Sequence, residues 1–210
     1  MVGGTSAAPL CAPPDVNYLA HLYLSPPQDD ALLGSLLGDF VKGPLGDRYR
    51  GPVAAAIVLH RRLDAYTDAH AAVRRSKARV SAARRRYAGI MIDMFYDHFL
   101  ARRWAEFHEA PLGAFTARVY ALLARRHAEL PERLQFVAPR MAARDWLGSY
   151  ASPANIARAL EGIGTRLRRA NRLAGAGEEL LADYAGFEAD FRAFLPEARA
   201  FAARGYKSFW

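Results

Sequence analysis

The sequence predicts an all-α fold, a single domain of about seven to nine helices. Three observations carry this. No stretch shows the alternation of β-branched residues that marks a strand. Apolar residues recur at helical spacing, as in Ala55, Val58, Leu59 and Leu63. Prolines and glycines cut the chain into helix-length pieces. The 210 residues, 52% hydrophobic and 24% charged, suffice for one domain with a large core.

Residues 1–15 are rich in Gly, Ala and Pro and read as a disordered extension, leaving residues 16–210 as the domain. Asn17 to Leu24 is short and apolar, and Ser25-Pro26-Pro27 ends it. Asp29 or Asp30 caps a helix to about Val41, which Gly43-Pro44-Leu45-Gly46 breaks. Gly51-Pro52 opens the next helix, with Pro in its first turn, running to about His70. A basic helix follows from about Val73 to Ala83. Tyr87 to Trp104 is strongly apolar and predicts a central helix. Pro111, Pro131 and Pro153 each start another. Gly175-Ala176-Gly177 precedes a last long helix, which Pro196 is expected to kink or break.

The 29 basic and 21 acidic residues give a net charge of +8, which suits acidic partners. The arginines are spread over several segments, and no DNA-reading motif is present, so no nucleic-acid partner is expected. No apolar run is long enough to span a membrane. The first basic residue is Lys42, so no secretory signal is expected. The single Cys11 fits a reducing compartment, and the expected location is the cytoplasm.

The chemistry concentrates in two helices. His60, Asp64 and Asp68 recur every four residues and share one helix face. Asp93 and Asp97 repeat that spacing, and His98 follows directly. Facing helices can bring such side chains together as metal ligands, and carboxylates with imidazoles suit Mn, Fe, Zn or Mg. Asp39 lies in the apolar Leu36–Val41 stretch, where an isolated carboxylate needs a cation or a partner such as Lys42. His21 sits in the apolar Asn17–Leu24 segment. His70, His108 and His127 have no acidic neighbour at useful spacing and read as surface residues. Arg61 and Arg62 could clamp a phosphate. No Walker-type loop, nucleophile elbow or zincin motif is present. The set suggests metal-assisted hydrolysis of a phosphoester.

Four blocks resemble the acyl carrier protein phosphodiesterases. They are Asn17-Tyr18-Leu19-Ala20-His21-Leu22-Tyr23-Leu24; Gly34 to Gly43 with Gly38-Asp39-Phe40-Val41-Lys42-Gly43; His60-Arg61-Arg62-Leu63-Asp64 with Thr67-Asp68; and Asp93 to Leu100 with Asp97-His98-Phe99-Leu100. The resemblance implies removal of 4′-phosphopantetheine from the serine of holo acyl carrier protein. It also implies one or two Mn²⁺ ions and a divergent HD-type site. The usual contiguous His-Asp dyad is missing; the only adjacent pair is reversed, Asp97-His98.

The site expected on these grounds has His21, Asp39, His60 and Asp97 as metal ligands. Asp64 and His98 are the expected catalytic groups, Arg61 and Arg62 hold phosphate, and Asp68 and Asp93 orient the others. Carrier proteins are acidic, so docking is expected on Arg74 to Arg86 or on Arg102-Arg103. A groove of Tyr18, Phe95 and Tyr96 would take the pantetheine arm. Family members tend to begin one residue before the Asn-Tyr-Leu block, which places the expected natural start at Val16. Two alternatives are an HD-type nucleotide phosphohydrolase and a non-enzymatic basic helical binding protein.

Overall fold

The computed structural model describes residues 18–167 and 171–207. The extension 1–15 and the expected start at Val16 lie outside the described residues. Among those described, all regular structure is helical: α1 (Tyr18–Leu24), α2 (Asp29–Phe40), α3 (Gly51–Ala69), α4 (Ala71–Arg79), α5 (Ala88–Arg102), α6 (Trp104–Phe107), α7 (Leu112–Arg125), α8 (Glu132–Ala143), α9 (Trp146–Ser149), α10 (Pro153–Gly164), α11 (Gly177–Ala182) and α12 (Tyr184–Lys207). Nine of these twelve have seven residues or more, against about seven to nine helices expected in all.

Helix α5 is the centre, as its composition suggests. Met91, Ile92, Met94, Phe95, Phe99 and Leu100 are fully buried, and α1, α4, α10 and α12 pack around it. Phe95 meets Phe187 edge-on and Tyr96 meets Phe191. The Tyr96 hydroxyl hydrogen-bonds with Ser76. Phe95 and Tyr96 are therefore core packing, and the expected groove with Tyr18 does not form. Tyr18 stacks on Phe40 instead.

Helices α2 and α3 form the most extensive pair, and two glycines one helical turn apart on α2 explain it. A Cβ on Gly34 would lie 2.3 Å from the Val53 carbonyl oxygen. A Cβ on Gly38 would lie 2.2 Å from Cγ of His60. Only hydrogen at both positions lets the helices approach this closely. The chain leaves α2 through Gly43 and Gly46, both at positive φ, where the sequence predicts a break.

Helix α12 closes the domain over α3, α4 and α5. Pro196 lies inside it without ending it. Phe191, Phe194, Leu195 and Ala198 bury one side of the helix around the proline, so packing outweighs the lost backbone hydrogen bond. Asp190 anchors the same face. Its carboxylate accepts from Arg75 Nε at 2.9 Å, Arg79 Nε at 2.8 Å and Ser76 Oγ at 3.1 Å. His70 is not the expected surface residue: its ring caps α4, Nδ1 accepting from the Ala72 N–H.

Candidate metal centre

Three helices deliver the site. Helix α1 carries His21, α2 ends one residue after Asp39, and α3 carries His60 and Asp64 one turn apart. His21, His60 and Asp39 are buried, at 4%, 2% and 2% exposure, whereas the Asp64 side chain is about half exposed. The site thus opens to solvent at Asp64. Ser35 Oγ donates to the His21 carbonyl at 2.9 Å and ties α1 to α2.

His21 Nε2 lies 3.0 Å from Asp64 Oδ1, and His60 Nε2 lies 3.4 Å from Asp64 Oδ2 and 3.6 Å from Asp39 Oδ1. The two imidazoles stack with centroids 3.8 Å apart. One donor atom each from His21, His60 and Asp64 falls within 4.8 Å of the others. Adjacent ligands of an octahedral ion with bonds of about 2.1 Å stand about 3 Å apart, so this spacing fits one divalent ion. Both oxygens of Asp39 are buried without a hydrogen-bond partner. A carboxylate so placed is costly unless a cation neutralises it. The unpartnered pair beside His60 therefore points to a fourth ligand.

The electrostatics agree. Burial and then the neighbouring His60 push the His21 pKa down. Burial opposes charge on His60 too, but the neighbouring carboxylates of Asp39 and Asp64 outweigh it and raise its pKa to about 9. Burial also opposes the Asp64 carboxylate, yet hydrogen bonds from His21 and His60 hold its pKa well below the usual range. Negative charge at Asp64 and Asp39 draws a cation, here a proton on His60. A divalent ion would displace that proton.

The remaining expected residues fall around this group. Asp97 is not in it. Its Oδ2 accepts from the Leu19 N–H at 3.0 Å and its Oδ1 from the Ala20 N–H at 2.8 Å, so it anchors the first turn of α1. Burial pushes its pKa well up, the two N–H groups pull it down, and Asp93 and Asp39 push it up again. His98 points elsewhere on α5. Its Nδ1 hydrogen-bonds to the Tyr150 carbonyl at 2.8 Å and its Nε2 to the Tyr184 hydroxyl at 2.9 Å, which engages both ring nitrogens.

Arg61 donates to the Val41 carbonyl at 2.7 Å, close in sequence to Asp39, while Arg62 is exposed. Asp68 is on the surface, paired with Lys77 at 2.7 Å, and Asp93 is half-buried on α5. The cradle that Gly38 makes for His60 is not evident from the sequence. The signal lay in the Gly34-x-x-x-Gly38 spacing, but its meaning depends on which residue faces it across α3.

The family model described as acyl carrier protein phosphodiesterase matches residues 16–198. The chain belongs to that family. It is 36% identical over 183 residues to the acyl carrier protein phosphodiesterase of Serratia proteamaculans, covering 87% of this chain and 95% of the relative. It is 35% identical over 182 residues to that of Photorhabdus laumondii, covering 86% and 92%. It is 34% identical over 182 residues to that of Yersinia enterocolitica, covering 86% and 94%. No solved structure matches. No described helix is long and apolar enough to cross a membrane.

Proposed function

We propose that this phosphodiesterase removes 4′-phosphopantetheine from holo acyl carrier protein at a divalent-metal centre held by His21, His60, Asp64 and Asp39. The observation that carries the metal is the buried Asp39 carboxylate with neither oxygen partnered, beside two imidazoles and Asp64 at ligand spacing. The family assignment supports the substrate. Two nitrogens and carboxylate oxygens suit Mn²⁺, the ion the family resemblance implies, and one ion fits this donor set.

A bound ion would lower the pKa of a coordinated water and polarise a phosphoryl oxygen. The protein's own groups do the rest. Asp64, the open member of the set, marks the side from which substrate and the attacking water would reach the ion. Asp97 holds α1 so that His21 meets His60. Gly38 seats the His60 ring. Arg61, with guanidinium donors beyond the one on Val41, and the exposed Arg62 offset charge on the phosphate. His98 braces α5 against Tyr150 and Tyr184 rather than carrying protons.

Substrate choice is tested by incubating the protein and Mn²⁺ with holo acyl carrier protein and, separately, guanosine tetraphosphate. The proposal expects the carrier to lose the phosphopantetheine mass while the nucleotide stays intact. Nucleotide hydrolysis with an unchanged carrier would favour the nucleotide phosphohydrolase instead. Carrier binding without hydrolysis would favour the non-enzymatic reading.

A further inference from the structure

The expected docking patches are largely neutralised. Arg75 and Arg79 pair with Asp190, Arg79 also with Asp183, Lys77 with Asp68 and Arg84 with Glu179. Arg85 donates to the carbonyls of Val80 and Ala78. Arg103 pairs with Glu188 and Glu106. A cation already matched by its own chain has little left to offer a partner.

One cavity differs. It has a volume of about 340 Å³ and is lined by Arg144, Arg158 and Arg166 together with Trp146, Ile163 and Tyr150, and no carboxylate lines it. Arg158 is oriented by Asn155 Oδ1 at 2.6 Å and the Ala154 carbonyl at 3.4 Å, both neutral. None of the three guanidiniums forms an ion pair among the described residues. Two other surface cavities include carboxylates: Glu197 lines one with Arg75, and Asp30 and Glu129 line the other with Arg48, Arg50 and Arg126.

The cavity also adjoins the metal centre. Its buried wall residue Tyr150 feels the charges of Asp97, which holds the helix that carries His21, and of Asp39.

We propose that this cavity docks an acidic protein surface, with carboxylates on Arg144, Arg158 and Arg166 and an apolar side chain on Trp146 and Ile163. The three cations come from separate segments: Arg144 from the end of α8, Arg158 from α10 and Arg166 from the turn that follows α10. That separation suits a row of carboxylates better than a single phosphate. Resting on the reading above, the occupant is the carrier protein, brought in with its modified serine turned to the metal centre.

The test is binding of fluorescently labelled holo acyl carrier protein to the full chain in EDTA, which needs no hydrolysis. Arg144→Glu, Arg158→Glu and Arg166→Glu are made singly and together, with Arg→Gln counterparts and melting curves to confirm folding. Exposed Arg86→Glu is the control. The triple reversal is expected to weaken binding by roughly tenfold or more and to flatten its salt dependence, while R86E changes neither. With Mn²⁺, the triple variant should raise KM for the carrier and leave hydrolysis of bis(p-nitrophenyl) phosphate unchanged.

Unchanged carrier binding in the triple variant, or no carrier binding by the wild type, overturns the docking site. So does loss of inorganic phosphate binding with carrier binding intact, which would make the cavity a small-anion site. Tight, charge-dependent binding without any release of phosphopantetheine would retain the docking surface and refute the phosphodiesterase reading instead.

Discussion

Gly38→Ala isolates the geometry of the metal centre without altering any ligand. The added Cβ would lie 2.2 Å from Cγ, 2.3 Å from Cδ2 and 2.7 Å from Nδ1 of His60. Ordinary contact begins at about 3.4 Å, so the ring must retreat by roughly 1 Å or α2 must part from α3. Parting is opposed one turn away, where a Cβ on Gly34 would stand 2.3 Å from the Val53 carbonyl.

His60 Nε2 stands 3.4 Å from Asp64 and 3.6 Å from Asp39, so a shift of that size takes it out of ligand range. Overpacking of this kind costs about 1–3 kcal/mol, a fall in Tm of roughly 2–12 °C for a chain of this size. The predicted signature is loss of at least 100-fold in carrier hydrolysis and loss of the Mn²⁺-induced rise in Tm, with the protein still folded at 25 °C. Gly113→Ala on α7, where a Cβ meets nothing within 4 Å, is the control and should keep full activity. Normal metal affinity and activity in Gly38→Ala would refute the assignment of His60 as a ligand seated by that glycine.

Other outcomes follow from the same contacts. Asp39→Asn removes a buried carboxylate that holds charge on His60, so it should lower the His60 pKa and abolish the stabilisation by Mn²⁺, worth about 2.7 kcal/mol at a hundredfold excess over Kd; an Mn²⁺-induced rise in Tm that persists would contradict this. Asp190→Asn leaves Arg75 and Arg79 without their buried partner and should cost about 2–4 kcal/mol in a urea melt, with catalysis at 25 °C preserved. Glu179 is opposed by burial, but Ser81 and Arg84 outweigh this and hold its pKa below 4.5. Its folded value is the lower one, so its stability contribution is present above pH 4.5 and is lost as the pH falls through the depressed value. Acid titration of Glu179→Gln should therefore show a shallower loss of stability below pH 4.5 than the wild type.

Much of the architecture is legible in the chain because prolines and glycines punctuate it and α5 is so apolar that it must be central. Of the kink or break that local rules put at Pro196, the break does not occur, because the apolar face of α12 holds the helix together from outside. The site is legible in part. His60 and Asp64 share a helix face by spacing alone, and Asp39 stands out as a carboxylate among leucines.

What spacing cannot show is the direction of neighbouring side chains around an axis. Asp97 and His98 are adjacent in sequence and diverge around α5, one toward the backbone of α1 and the other toward Tyr150 and Tyr184. The arginine patches misled similarly. Their partners, Asp183, Asp190 and Glu179, come from the far end of the chain, and only tertiary structure reveals which cations are already matched.

The most direct test of the metal centre is a Mn²⁺ titration of the EDTA-stripped protein, with holo acyl carrier protein followed by mass. Loss of the phosphopantetheine mass should rise in step with occupancy of a single site and be absent in EDTA and in His60→Ala at any Mn²⁺ concentration. Undiminished hydrolysis in EDTA, or full activity of His60→Ala, would contradict a metal-dependent phosphodiesterase centre at His21, Asp39, His60 and Asp64.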